Sequence, residues 1–332
     1  MNSVIRHSGW LSACTCLVAG VVIAGAVGNA LAQGYPVKPI RIIVPLGPGA
    51  PPDVSARLVG QKIAESVGQA VVVENRSGAG GTVGGRAAAT ATPYGYTLLM
   101  GSSSSLVFGP ILFSNAGYTP TKSFSPVSQV SNQPFIIAVP ASLMVDSLAQ
   151  FIALIKANPG KYNYATSQNG SPPHMSAELL SRATGMSMVQ VPFGSIPKGV
   201  LALVAGDAHL YIEVVPAFIS QIRGGTIRAL ATAGVARTPF LPDVPTATEA
   251  GVPGFLVGSW SSVVGPAGLP GPVVTRLNQE IHKAMATKDV EDGFSKQMAE
   301  IVVGTPEDLA RHIAGEFAKW SRLIADAGIK AD

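Results

Sequence analysis

Cysteine is almost missing from this chain of 332 residues, and the two that occur, Cys14 and Cys16, both lie in its first segment. If that segment is removed, the remainder has no disulfide, no thiol nucleophile and no thiolate metal site, so its core alone must hold it together. Charge is sparse as well. Charged residues make up 13% of the chain and the formal net charge is +4, with Lys and Arg scattered rather than gathered in blocks. That pattern excludes the dense basic face of a nucleic-acid binder, while leaving room for a small anionic ligand. A membrane-spanning run is absent too, because the apolar stretch at residues 17–27 is short and carries Gly20 and Gly25. Arg6 and His7 precede that stretch and Ala30-Leu31-Ala32 follows it, which predicts a secretory signal peptide over residues 1–32, cleaved before Gln33, and a periplasmic protein. The alternative of lipidation at Leu11-Ser12-Ala13-Cys14 lacks the apolar region that should precede the cysteine.

Signatures of catalysis are equally scarce. No Gly-x-Ser-x-Gly elbow occurs, and Ser195-Ile196-Pro197-Lys198 matches Ser-x-x-Lys without its companion motifs. His174 and Glu178 have a spacing that would let them share a metal on a helix, but no third ligand accompanies them, and a capping or surface pair is the simpler reading. The expectation is a protein that is not an enzyme and uses no metal or cofactor.

What is present is a repeated strand, loop and helix. Ile40 to Val44 is β-branched and apolar apart from Arg41, as suits a strand covered on both faces. The Pro/Gly loop at residues 45–52 ends it, Asp53 stands at an N-cap position, and Ala56, Val59, Ile63 and Val67 follow at helical spacing. A loop so placed offers backbone N–H groups and a helix dipole to an anion, or else merely shapes a turn. A second strand at residues 70–74 leads to the glycine-rich stretch at 75–85. That stretch lacks the Gly-Lys-Ser/Thr of a nucleotide loop and reads instead as close backbone approach to a ligand or a packed neighbour. A third strand at residues 96–100 delivers Gly101, Ser102 and three further serines, a carboxylate cradle or a polar helix cap.

The chain then reads as irregular over residues 118–129 and restarts as an apolar strand at 135–139, the expected crossover into a second lobe. There the pattern repeats, with strands predicted at 162–166, 187–191, 210–214 and 227–232 and a helix opening at Ser171 or Pro172. Thr305-Pro306-Glu307-Asp308 opens a final helix with a buried stripe of Leu309, Ile313, Phe317, Trp320 and Ile324. The expected architecture is α/β: one lobe from residues 34–133 and 256–332, a second from 134–255, and a hinge that closes them on a cleft.

Several segments, in order along the chain, resemble the extracytoplasmic solute-binding proteins of tripartite tricarboxylate transporters, the Bug family. They are Tyr35-Pro36-x-Lys38-Pro39-Ile40-Arg41-Ile42-Ile43-Val44-Pro45, Pro48-Gly49-x-x-x-Asp53-x-x-Ala56-Arg57, Val71-Val72-Val73-Glu74-Asn75-Arg76-x-Gly78-Ala79-Gly80-Gly81, Gly170-Ser171-x-x-His174 and Leu241-Pro242-Asp243-Val244-Pro245-Thr246. The resemblance implies a type II periplasmic-binding-protein fold whose ligand is a small carboxylate, aliphatic or aromatic. The partners it implies are membrane permease subunits, and a receptor kinase is the alternative if the protein is a sensor. Carried over by position, it implies ligand contacts at Leu46, Ala50, Pro51 and Asp53 and, facing them, at Ser167, Gly170 and His174. Val191 and Phe193 would line the wall and Glu213 would lie near the distal end of the ligand. Gly101 and Ser102 join this set from the strand reading above. The chain departs from the family pattern at Ala50-Pro51-Pro52, where Gly-Gly is usual, and at Phe193-Gly194-Ser195, where Tyr-Lys-Gly is common. Both departures point toward a less polar acid.

Overall fold

A computed structural model describes residues 34–329, so the expected signal peptide, with Cys14 and Cys16, lies outside the described residues. Strand β1 (Ile40–Val44) continues into helix α1 (Pro51–Val67), followed by β2 (Val71–Asn75), helix α2 (Thr82–Ala89) and β3 (Thr97–Ser102). β1 lies between β2 and β3, parallel to both. Apart from Arg41, which pairs with Glu74, its side chains alternate between two apolar layers, as the Ile and Val of this segment predicted. Ile40, Ile42 and Val44 pack with Ala56, Val59 and Ile63 of α1, while Ile43 packs with Ala88 of α2 and with Leu99.

A π-helical turn (Ser104–Phe108) then runs directly into the short α3 (Gly109–Leu112), and α4 (Pro120–Ser123) leads to β4 (Phe124–Pro140). β4 corrects the reading of residues 118–129 as irregular. It is a continuous strand of 17 residues. From Phe124 to Pro134 it pairs antiparallel with β9 (Gly258–Pro266), and from Phe135 onward with β7 (Tyr211–Val214) and β8 (Ile227–Thr232). Its first half is rich in Ser, Gln and Pro and has little strand propensity of its own. The ladder with β9, with register shifts near Pro126 and Gln129, makes it a strand.

At Pro134 the sheet changes partners. Phe135 N–H donates to the Val257 carbonyl (3.0 Å), Ala233 N–H to the Phe135 carbonyl (2.7 Å), and Val257 N–H to the Ala233 carbonyl (3.1 Å). Outgoing and returning chain are thus tied together where the two sheet sections meet. Between β4 and β7 run α5 (Leu148–Ala157), β5 (Asn163–Thr166), α6 (Pro172–Thr184), β6 (Val189–Pro192) and α7 (Ile196–Ala205), and α8 (Val215–Arg223) joins β7 to β8. β5 and β6 are parallel, and Ala165 N–H reaches the Leu210 carbonyl (2.8 Å) beside β7.

The chain ends with α9 (Gly271–Met285), α10 (Lys288–Lys296), the short β10 (Glu300–Ile301) and α11 (Pro306–Ala327). Thr305 caps α11 in a reciprocal box with Asp308, as its sequence predicted. Leu309, Ile313, Trp320 and Ile324 are buried as expected, but Leu323 completes the stripe and Phe317 is only half-buried. No described helix is long and apolar enough to cross a membrane. The mixed α/β architecture is the one expected.

Candidate functional site

The loops that leave the carboxyl ends of β2, β3, β5 and β6 converge on a cavity of about 530 Å³. Ligands of open α/β sheets settle at such strand ends. One wall comes from the first sheet section: Gly80, Ser104, Phe108, Leu112 and Phe113. The other comes from the loop at 167–172, with Ser195 and Ile196.

None of the described residues lining the cavity is ionisable. Its polarity comes from hydroxyls, amides and helix ends. Ser171 is the N-cap of α6 and Ser195 the N-cap of α7, and neither side chain closes a cap bond. The N-termini of a 13-residue and a 10-residue helix therefore open on one space. Each terminus favours a negative charge by about 0.3–1 kcal/mol, more when partly buried. Phe108, Leu112, Phe113 and Ile196 give the same space an apolar side. An anion with a hydrocarbon body suits this lining.

The expected site residues fall in several places. Ser167 and Gly170 line the cavity. His174 lies buried beneath that loop, where its Nδ1 accepts the Gly170 N–H (3.0 Å) and so shapes the loop from below. Glu178 accepts the Tyr164 hydroxyl (2.7 Å), and no group of three potential metal ligands occurs among the described residues. Val191 and Phe193 belong to β6 and its end and are half-buried. Phe193 packs against the cluster containing Ile136 and Tyr211, outside the cavity lining.

The loop after β1 sits behind the cavity. Asp53 is not the N-cap of α1: Ala50 takes that position, Pro51 and Pro52 follow, and Asp53 is the third helical residue. Two prolines fit the first turn because its N–H groups have no intrahelical partner. From there the Asp53 carboxylate accepts the Gly49 N–H (2.9 Å), Arg57 Nε and Nη2, and Asn75 Nδ2 (2.9 Å), while Asn75 also donates to the Leu46 carbonyl (3.0 Å). Leu46, Ala50, Pro51 and Asp53 thus form a self-bonded corner outside the cavity lining. Burial raises the Asp53 pKa, but the bonds from Arg57, Gly49 and Asn75 outweigh it and hold the carboxyl below its ordinary value.

Asp53→Ala should therefore lower the unfolding free energy by about 2 kcal/mol near neutral pH, as read by urea denaturation. Because the folded pKa is depressed, this contribution is complete above the unfolded value of about 3.9 and fades as pH falls through the folded one. The gap between the two proteins should close in acid; a gap of constant size would contradict this role.

Gly101 and Ser102 are buried in β3, where Ser102 N–H donates to Ser105 Oγ (3.0 Å). Of that serine run it is Ser104 that reaches the cavity. The glycine-rich stretch packs on protein: a Cβ on Gly84 would lie 2.8 Å from the Arg76 carbonyl oxygen and 2.9 Å from Pro45 Cα. Glu213, in β7, is fully buried with Oε1 accepting the Val214 N–H (2.9 Å), and burial pushes its pKa up to about 7.

Phe108, Leu112 and Phe113 had no assigned role in the sequence reading. The apolar Leu106-Val107-Phe108 run after the serines was their only local signal.

Residues 55–329 match the family model described as tripartite tricarboxylate transporter family receptor. Over 311 residues the chain is 36% identical to Protein BugT of Bordetella pertussis, spanning 93% of this chain and 95% of that protein. Two solved structures are similar throughout. An R. palustris protein with adipate shares 32% identity at a TM-score of 0.73, covering 89% of this chain and 99% of that one. MatC from Rhodopseudomonas palustris with bound malate shares 31% at a TM-score of 0.70, covering 87% and 100%.

Proposed function

The chain belongs to the tripartite tricarboxylate transporter receptor family, and from that membership we propose that it captures a small carboxylic acid in the cavity between β3 and the β5 and β6 loops. In this reading it works in the periplasm, and the acid-loaded form is handed to the membrane subunits of a tripartite tricarboxylate-type transporter. The observation that carries the reading is the pairing of two helix N-termini with an apolar wall in a cavity whose described lining has no ionisable side chain. The adipate and malate of the two related structures are of the same chemical class. Nothing observed favours the sensor alternative.

The carboxylate would sit at the N-termini of α6 and α7, with the Ser104, Ser167 and Ser195 hydroxyls around it, and its hydrocarbon part against Phe108, Leu112 and Ile196; Ser171 Oγ donates to the Gln168 carbonyl (2.7 Å) and shapes the loop instead. Leu46, Ala50, Pro51 and Asp53 would support this arrangement from behind by fixing the corner next to Gly81 and Gly84. The two sections, residues 34–133 with 256–332 and residues 134–255, would close about the junction at Pro134. Closure removes water from around the carboxylate and so strengthens each hydrogen bond that it accepts. The role requires no chemical step and no cofactor.

Ser195→Asp tests this reading without endangering the fold. Aspartate is a favourable N-cap and complements the dipole of α7, so the thermal midpoint should stay level or rise. The same carboxylate would face the ligand's charge and should weaken binding of a bound acid tenfold or more, on the order of 1.4 kcal/mol or greater. Calorimetric titration reads the affinity, and undiminished affinity in Ser195→Asp would reject the placement.

A further inference from the structure

A second cavity, of about 310 Å³, lies beside the strand junction. Its lining includes Ala233, Gly234, Val257 and Gly258, the chain segments tied together next to Pro134, together with Trp260 and His312. No residue is shared with the first cavity.

Two residues of this lining each carry a buried polar atom without a partner. Trp260 is only 3% exposed, yet its indole Nε1–H finds no acceptor among the described residues. His312 Nε2 is likewise buried without a partner, and the two rings meet edge to face with centroids 4.8 Å apart. A buried donor without an acceptor is costly, so a bound molecule that supplies one is favoured. The other indole of the described chain makes the contrast plain, since Trp320 Nε1 donates to Glu316 Oε2 at 3.0 Å.

The surrounding charges select the visitor. Glu300 and Glu316 line the cavity, and Lys319 is engaged with Glu316 and the Leu256 carbonyl. A carboxylate is thus repelled here, the reverse of the first cavity. A primary carboxamide fits: its carbonyl accepts from Trp260, its NH₂ donates to His312 Nε2, and Val257, Leu256 and Val302 cover its body.

We infer that this cavity is a second small-molecule site, one that takes a neutral, carboxamide-bearing ligand at the junction of the two sheet sections. It is independent of the carboxylate reading above.

Benzamide and its charged isostere benzoate are the probes. In ¹H–¹⁵N spectra of the indole groups, millimolar benzamide should move the Trp260 resonance saturably and leave that of Trp320 in place. Benzoate at the same concentration should leave Trp260 unmoved. Trp260→Phe removes the responding signal and so assigns it, with the Trp320 resonance reporting that the chain is folded. His312→Ala keeps the Trp260 signal and should raise the half-saturating benzamide concentration by about fivefold, the loss of one hydrogen bond. A Trp260 resonance that does not move, moves without saturating, responds equally to benzoate, or keeps its benzamide affinity in His312→Ala overturns the assignment.

Discussion

Glu213→Gln is expected to be more stable than the native chain by roughly 3 kcal/mol above pH 7 and equal to it near pH 4. Glu213 is buried in β7 opposite Ile136 of β4, and Val214 N–H is the hydrogen-bond donor that its carboxyl has. Burial dominates over that one bond and raises the folded pKa from 4.5 to about 7. As pH rises between those values, the unfolded chain gives up the proton first. The folded state binds more protons than the unfolded one, so stability falls across that window and stays low above it. Glutamine keeps an oxygen for Val214 N–H and has no charge to bury, so its stability should not decline. Urea denaturation at pH values on both sides of the window reads the difference; parallel profiles for the two proteins would contradict the buried, uncompensated carboxyl.

Trp320→Ala should cost about 4 kcal/mol, within the range for removing a buried aromatic from a core, and lower the thermal midpoint by roughly 10 °C. Trp320 is 1% exposed in the middle of α11 and packs on Phe108 with ring centroids 5.0 Å apart. Because Phe108 also lines the first cavity, the loss should reach the ligand. Acid binding should weaken in Trp320→Ala, whereas Glu213→Gln leaves the described lining untouched. Trp320→Phe, which keeps a ring against Phe108 but drops the bond to Glu316, should recover most of the stability and nearly all of the binding. A Trp320→Ala protein that binds as tightly as the native chain would separate α11 from the cavity wall.

Local signals in the sequence were reliable where the structure is local. β1 was legible because five successive residues carry both faces of a buried strand, and α11 because its capping box and apolar stripe lie within one segment. β4 was half hidden, since Ser125 to Pro134 is made a strand by β9, more than a hundred residues away in sequence. Asp53 was recognisable as a helix-start acid, but whether it sits at the N-cap or at the third position depends on whether the two adjacent prolines precede the helix or form its first turn. At the site, Ser167 and Gly170 were named through the resemblance and Ser104 lay within the serine run read as a cradle. Phe108, Leu112 and Phe113 were not foreseen, because a π-helical turn followed by a four-residue helix has no periodicity long enough to read.

In the proposed role two helix ends and the nearby serine hydroxyls, without a lysine or arginine in the described lining, hold a carboxylate in the first cavity. The most direct measurement is calorimetric titration of the purified protein with adipate, malate and benzoate, each paired with its methyl ester or diester. At least one free acid should bind one-to-one, and its ester, which keeps the body and removes the charge, should lose that binding. Equal affinity for acid and ester, or no binding of any acid by the folded protein, would contradict this role.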